Sequence, residues 1–322
     1  MNNEVILNVI IPAYNAKETL DKTLMSLCLQ RTKYKFDVLI VNDKSDYNYK
    51  DYIEKYSKYL TISELTLKEN VGPGLARQKG IEHTNSKYIM FIDADDYLYS
   101  PYSIELLINR HQNTICDVLI SNFIIERDNK REIKTKDNVW LHGKVYKREF
   151  IEKNKVSFNS TRKNEDSGFN RLLFLLNDKI EYLDTVTYVY QDNQNSITRK
   201  DNRRYKFEGL EGLAENMEWA YYEAKKRNVN DNMLKIHLLS TLTSSYYYYN
   251  ELFNQYDVSK IIKWNKNIYE ELKKYEVTEV DIEDYLKINK QILETISNPI
   301  ISYDEYLTMM EEYHDWFNNT DL

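Results

Sequence analysis

Residues Tyr88–Asp96 read YIMFIDADD, an apolar run that stops at three acids. A wholly apolar segment as short as Tyr88–Ile92 is typical of a strand buried on both faces of a sheet. Asp93, Asp95 and Asp96 then follow its carboxyl end, where ligands collect in open α/β sheets. Crowded carboxylates repel one another, and a divalent cation relieves that repulsion. The alternative to a cation site is that these three acids form a solvated turn or cap the N-terminus of a helix.

On either side of this run, β-rich segments alternate with helical periodicity. Further strands are predicted at 5–11, 36–41, 62–67, 117–126, 134–140 and 181–190. Helices are predicted at 17–30, 49–59, 72–81, 147–153 and 166–176. The alternation in the first hundred residues predicts βαβ units, and hence an α/β domain with a mostly parallel sheet covered by helices on both faces.

Beyond about residue 200 the hydrophobic periodicity is almost entirely helical. Helices are predicted there at 205–227, 232–253, 259–275, 282–296 and 303–317. We therefore predict an α/β domain at 1–200 and a C-terminal helical domain at 201–322, which would serve acceptor recognition or homo-oligomerisation.

Charge and composition narrow the function classes. The 322 residues carry 44 Lys and Arg against 51 Asp and Glu, a net charge of −7. This balance disfavours nucleic-acid binding, which would need a local basic patch. Two cysteines cannot form a disulfide framework, so a reducing compartment fits. The N-terminus lacks a basic start and a cleavage site, and no apolar run approaches the roughly 18 residues of a membrane span. We expect a cytoplasmic protein without a transmembrane segment.

Six motifs occur in order along the first 200 residues. They are Val9–Asn15 (VIIPAYN), Val41–Ser45 (VNDKS), Asn70–Gly80 (NVGPGLARQKG), Phe91–Asp96 (FIDADD), Gly143–Arg148 (GKVYKR) and Asn164–Asp166 (NED). Each is weak alone, but together and in this order they resemble the family 2 glycosyltransferases of the GT-A fold, which is Rossmann-like. The resemblance does not extend past about residue 200. It implies an inverting transferase that uses a nucleotide-sugar donor, here a UDP-sugar.

The resemblance places the nucleotide pocket at the first two strand ends. Pro12, Tyr14 and Asn15 would line it, with Tyr14 stacking on the base, although Pro12 also simply ends a strand. Asp43 matches the acid that accepts a hydrogen bond from a uracil N–H, a sensible partner for an imide donor. Its alternative role is an Asx-turn.

The resemblance assigns further donor contacts to later motifs. Asn70 and Gly72 would lie beside the nucleotide, although Gly72 is equally consistent with a plain turn. Arg77 would hold the phosphates bidentately, or else be a surface helix residue. Ala94 would also line the donor site, and Lys144 would touch a phosphate or the donor sugar.

The D-x-D acids and the Glu-Asp motif carry the implied chemistry. Asp95 would contact Mn²⁺ or Mg²⁺ directly, with Asp93 nearer the ribose or a metal-bound water. The metal would neutralise the leaving diphosphate. His142 is a possible third ligand, though a lone histidine is more often structural. Asp166 matches the catalytic base, or it is a helix N-terminal acid; Glu165 would support it.

The resulting prediction is a metal-dependent transfer from a UDP-sugar to a hydroxyl of a bacterial surface glycan or a teichoic-acid-type (polyol-phosphate) polymer. One alternative is a phage-type glucosyltransferase acting on a modified DNA base. It would need a basic groove from Lys147, Arg148, Arg162, Lys163, Arg203 and Arg204. Another is a catalytically silent nucleotide-sugar-binding module, which would have no use for all of the acids above.

Overall fold

The computed structural model describes residues 4–128, 130–177, 179–191, 202–252, 259–293, 300 and 302–319. The chain divides into two compact units, Met1–Lys200 and Asp201–Leu322. Within the described residues, no helix is both long enough and apolar enough to cross a membrane.

The first unit contains one sheet with helices around it. Its strands are β1 (Leu7–Ala13), β2 (Phe36–Asn42), β3 (Thr61–Thr66), β4 (Tyr88–Phe91), β5 (Tyr97–Leu98), β6 (Val118–Arg127), β7 (Lys130–Lys134), β8 (Lys144–Lys147) and β9 (Ile180–Gln191). Its helices are α1 (Leu20–Cys28), α2 (Lys50–Tyr56), α3 (Pro73–His83), α4 (Ser103–Gln112), α5 (Arg148–Lys153) and α6 (Glu165–Leu176).

The sheet runs β3-β2-β1-β4-β8-β6-β9-β5, with β7 paired to β6. Strands β3, β2, β1 and β4 are parallel, as the alternation of strands and helices predicts. The other half is mixed. Strand β8 runs antiparallel to both β4 and β6, β9 is parallel to β6, and β5 is antiparallel to β9.

Helix α3 packs closely on the centre of the parallel half because of a glycine. A Cβ atom on Gly80 would lie 2.4 Å from Ile10 Cγ2, so only glycine lets the helix approach β1 this closely. Residues Leu7, Val9 and Ile11 of β1 are fully buried. The close packing fixes α3, and the loop that leads into it, against the carboxyl ends of β1 and β2.

The strand predicted at 134–140 is wrong over most of its length. Strand β7 ends at Lys134. Asp137 Oδ1 accepts hydrogen bonds from the backbone N–H groups of Val139 and Trp140, at 2.9 and 2.7 Å. This local side-chain turn competes with ladder pairing. Strands β5 and β8 were not predicted, because two and four residues are too few to show a period.

The second unit is helical throughout its described residues. Its helices are α7 (Asn202–Lys226), α8 (Asp231–Leu252), α9 (Ser259–Leu272), α10 (Glu279–Leu293) and α11 (Tyr303–Asn319). Buried tyrosines join them: the Tyr221 hydroxyl donates to Glu271 Oε2 at 2.7 Å, and the Tyr313 hydroxyl donates to the Leu242 carbonyl at 2.9 Å. The helical character of this region follows the predicted periodicity.

Candidate active site

Hydrogen bonds of Asn15 link the loop after β1 to the loop after β2. Asn15 has a positive φ of 51°. Its side-chain amide donates to Asp46 Oδ2 at 3.0 Å, and its Oδ1 accepts from the Asp46 N–H at 3.0 Å. Asn15 therefore shapes the loop. Pro12 is buried in β1, whereas Tyr14 is 53% exposed, so its ring has a face available for stacking.

Asp43 holds the loop in front of α3. Its two carboxylate oxygens accept from the backbone N–H groups of Val71 and Gly72, at 2.7 and 2.9 Å. The residue is only 3% exposed, and burial raises the pKa of its carboxyl group despite those two hydrogen bonds. Each oxygen keeps a second lone pair that could accept from a uracil N–H, and that contact stays a prediction. The sequence did not predict that Asp43 also holds the loop at Val71 and Gly72.

The same loop is held from the other side by Arg162. Its guanidinium donates to the Oδ1 and the carbonyl oxygen of Asn70, at 3.0 and 2.8 Å. Gly72 has φ +89°, and a Cβ there would lie 3.3 Å from Arg162 Cγ. Gly72 therefore lies in the turn from which α3 begins, and Pro73 takes the first helical position.

Arg77 brings two distant acids together. Its guanidinium donates to Asp93 Oδ1 at 2.5 Å and to Glu165 Oε1 at 2.7 Å. The residue is 5% exposed, so the alternative of a surface helix residue is wrong. Because both terminal nitrogens bind carboxylates, the predicted bidentate grip on the donor phosphates does not fit this arrangement.

Asp93, Asp96 and His142 form a candidate metal centre. One ligand atom from each lies within 4.8 Å of the other two. Burial raises the pKa of Asp93, but the charge and the hydrogen bond of the Arg77 guanidinium outweigh that effect, and the pKa is lowered overall. Burial lowers the pKa of His142 to about 4. The imidazole is therefore neutral at pH 7, as a metal ligand must be.

Asp96 is the most enclosed of these acids. Its oxygens accept from the Tyr188 hydroxyl at 2.6 Å and the Gln191 N–H at 2.8 Å. Burial, followed by the negative charges of Asp95 and Asp93, raises its pKa well above the ordinary value. A divalent cation would offset this concentration of negative charge.

The aromatic residues around His142 fix its orientation. Its ring stacks on Tyr188 and Tyr190 with centroid distances of 4.8 and 5.3 Å, and Trp140 meets it edge-on at 5.4 Å. The two carboxylates suit Mn²⁺ or Mg²⁺, and the fixed neutral imidazole offers a third ligand atom. Asp95, the first choice from the sequence, is half-buried and is not one of the three, so its direct metal contact stays a prediction. The sequence offers one sign of the role of Asp96, which is that it is the third acid of the D-A-D-D run.

Asp166 lies in the first turn of α6, beside the acid that binds Arg77. Its Oδ1 accepts from the Ser167 N–H at 2.8 Å, and its side chain is half-buried. Burial, and next the charge of Glu165, raises the pKa of Asp166 to about 7. A carboxylate with this pKa has proton affinity matched to base catalysis near neutrality.

The ammonium of Lys144 is taken up by neighbouring groups of the protein. The residue is fully buried in β8, its ammonium donates to the Trp140 carbonyl, and it lies 3.6 Å from Asp137 Oδ1. A phosphate or sugar contact therefore does not fit its position, because the side chain closes the Asp137–Trp140 turn instead. Ala94 is buried between the acids and offers only its backbone.

Comparisons with known proteins bear on the family and the fold of the chain. Residues 8–164 match Glycosyl transferase family 2. The uncharacterized glycosyltransferase EpsJ of Bacillus subtilis is 26% identical over 220 residues, which are 60% of this chain and 63% of that protein. The poly(ribitol-phosphate) beta-N-acetylglucosaminyltransferase TarP of Staphylococcus aureus is 25% identical over 226 residues, 62% of this chain and 68% of that protein. The alignments cover 31 to 66% of the first three curated relatives, less than two thirds of each.

A solved structure matches almost the whole chain. The crystal structure of S. aureus TarS 1-349 in complex with UDP-GlcNAc superposes with a TM-score of 0.71 at 18% identity, covering 97% of this chain and 92% of that one. This match confirms the predicted GT-A fold followed by helices.

Proposed function

Residues 8–164 belong to glycosyl transferase family 2, and from this premise we propose that the protein transfers a sugar from a UDP-sugar to a hydroxyl of a bacterial surface glycan or teichoic-acid-type polymer. The observation that carries the proposal is Arg77, which brings the acids after β4 and the acids of α6 into one site.

The donor side is argued from the ends of β1 and β2. The exposed ring of Tyr14 can stack on a base. Asp43, at the end of β2, is fixed by the N–H groups of Val71 and Gly72 and keeps lone pairs for a uracil N–H. The relative solved with UDP-GlcNAc supports a UDP-sugar for this chain.

The metal centre belongs to the same proposal. Asp93, Asp96 and His142 would hold Mn²⁺ or Mg²⁺, with Asp95 adjacent. Such an ion supplies electrostatic stabilisation of the diphosphate leaving group. Asp93 keeps its side chain 31% exposed, so it remains accessible from solvent.

Asp166 acts as the general base in the proposed reaction. It takes the proton of the acceptor hydroxyl while that oxygen forms a bond to the anomeric carbon. The bond from the anomeric carbon to the diphosphate oxygen breaks, and its electron pair leaves with UDP. A single displacement of this kind inverts the anomeric centre.

The acceptor class rests on the relatives' names, which include poly(ribitol-phosphate) transferases and a teichoic acid polymerase. The unit Asp201–Leu322 is proposed to recognise the acceptor or to form a homo-oligomer. The cytoplasmic location expected from the sequence stays a prediction.

Transfer to a modified DNA base is disfavoured, because the basic residues that it requires are engaged in contacts within the protein. Arg148 is buried and donates to the backbone carbonyls of Ser86 and Ile81, at 2.7 and 2.9 Å. Lys147 lies 3.0 Å from Glu149 and 3.6 Å from Asp117. Arg162 is bound to Asn70. Arg203 and Arg204 lie outside the residues whose side chains are described.

Release of UDP from UDP-GlcNAc in the presence of Mn²⁺ tests the proposal. We expect Asp166→Asn to lower turnover about a hundredfold or more, the range for loss of a general base, and to leave UDP affinity within twofold. Asp93→Asn should lower turnover and weaken the response to Mn²⁺. Asp51→Asn, an exposed acid on α2, is the matched control. Full activity of Asp166→Asn, or no turnover of any UDP-sugar by the wild-type protein, would overturn the proposal.

A further inference from the structure

Resting on the proposed function, we propose that Arg77 is a positioning residue. It fixes the donor-side acid Asp93 and the base-bearing turn of α6 relative to each other, and it acts through Glu165 and not by binding the donor phosphates.

Two carboxylates neutralise the buried positive charge of Arg77. One terminal nitrogen binds Asp93 and the other binds Glu165, across sequence separations of 16 and 88 residues. Arg77 and Glu165 are both buried, so this pair is hardly screened by solvent. A guanidinium can bridge two carboxylates in fixed directions, which an ammonium cannot do.

The surrounding atoms leave Arg77 little freedom. Gly74, one turn earlier in α3, lies against Glu165, and a Cβ there would be 2.7 Å from Glu165 Cγ. The Phe158 ring lies 6.0 Å from the guanidinium carbon, and the Phe158 N–H donates to Gln78 Oε1 at 3.2 Å. Helix α3 and the segment leading into α6 thus form one packed unit around the cation.

The charges also favour a positioning role. Arg77 stands among Asp93, Glu165 and Asp166, and its charge counters the effects that raise the pKa of Asp166. Its Nε is buried without a hydrogen-bond partner in the described residues. If Arg77 turned toward a diphosphate, it would leave Asp93 and Glu165 as unpaired acids, and losing a buried partner is costly. A phosphate-binding role would therefore break the arrangement that holds the base.

The alternative roles differ in steady-state kinetics. Loss of a positioning residue lowers kcat with little change in the donor KM, whereas loss of a phosphate ligand raises the donor KM. We therefore propose to measure kcat and KM for UDP-GlcNAc, with UDP affinity by calorimetry, in Arg77→Lys, Glu165→Gln and the double variant.

We expect Arg77→Lys to lower kcat at least tenfold, with donor KM and UDP affinity within about threefold. The double variant should be little worse than Arg77→Lys alone, because both changes weaken the same Arg77–Glu165 ion pair. Glu165→Gln keeps an acceptor for Arg77 and should fold even if Arg77→Lys does not.

Arg148→Lys is the matched control, since Arg148 is a similarly buried arginine that binds backbone carbonyls outside the site. It should lower the melting temperature without lowering kcat per folded molecule. The proposal is overturned if Arg77→Lys raises KM tenfold at constant kcat, if it behaves like Arg148→Lys, or if the effects of Arg77→Lys and Glu165→Gln on kcat simply multiply. A wild-type protein without turnover overturns the proposed function itself, whereas an active wild type with any of these results overturns only the role of Arg77.

Discussion

The acids of the site differ in their protonation because their surroundings differ. Asp93 pairs with Arg77, and its pKa is lowered. Asp166 lies nearby without an ion pair among the described residues, and burial followed by the charge of Glu165 raises its pKa to about 7. One carboxylate is therefore ionised at neutral pH while the other exchanges its proton there. Pairs with divided pKa values are typical of acid–base sites.

The state of Asp166 predicts the pH dependence of turnover. The base acts only when ionised, so kcat should rise with pH and level off above about 7. In Glu165→Gln the rise should move to lower pH, because the charge of Glu165 raises the pKa of Asp166. Turnover of UDP-GlcNAc between pH 5.5 and 8.5 checks this. A flat profile for the wild type, or an unmoved rise in the variant, would contradict the assignment.

Two short elements, β8 and α3, position side chains in and beside the site. Strand β8 has only four residues, yet it lies between β4 and β6 and buries Lys144 completely. Helix α3 carries Gly74 and Arg77 on the face that meets Glu165. The site therefore depends on close packing of these two elements as much as on its charged groups.

Lys144→Met tests the structural role assigned to β8. Loss of the ammonium removes its contacts with the Trp140 carbonyl and Asp137, and we expect the free energy of unfolding to fall by about 2 to 4 kcal/mol. UDP affinity should stay within twofold. Urea unfolding and calorimetry measure the two effects, with Lys130→Met, an exposed lysine of β7, as control. A large loss of UDP affinity in a stable variant would restore the donor contact predicted from the sequence.

Gly74→Ala tests the packing of α3 on α6. Alanine favours a helix over glycine by about 1 kcal/mol, but its Cβ would lie 2.7 Å from Glu165 Cγ. We expect a net destabilisation of about 1 to 3 kcal/mol, as for an overpacked core, and a lower kcat because Glu165 shifts. Lys79→Ala, on the exposed side of α3, is the control. Unchanged kcat and melting temperature would show that the contact is not required.

At the scale of the whole molecule, the site residues described above all lie in the unit Met1–Lys200, which has its own sheet and core. The unit Asp201–Leu322 has a separate core of apolar residues and buried tyrosines. If the second unit recognises the acceptor, as proposed, cutting the chain between the units should separate donor binding from acceptor recognition.

A fragment of residues 1–200 should bind UDP with an affinity within about threefold of the full chain, because the proposed nucleotide contacts are within it. Transfer to a polymeric acceptor should fall at least tenfold if the helical unit recognises the acceptor. Calorimetry and a transfer assay check the two expectations, and circular dichroism confirms folding. A folded fragment that does not bind UDP would place donor contacts in the second unit.

The sequence by itself determined the α/β class, the order of the first strands and helices, the helical second unit, and the acids at the ends of β2, β4 and the start of α6. Local periodicity and turn residues encode these features within short windows. Only the tertiary structure decided that Arg77 pairs Asp93 with Glu165, that Lys144 is buried, and that Asp96 and His142 lie beside Asp93. The reason is physical: Arg77 and Glu165 are 88 residues apart, and such a contact follows from how elements pack, which no local pattern records.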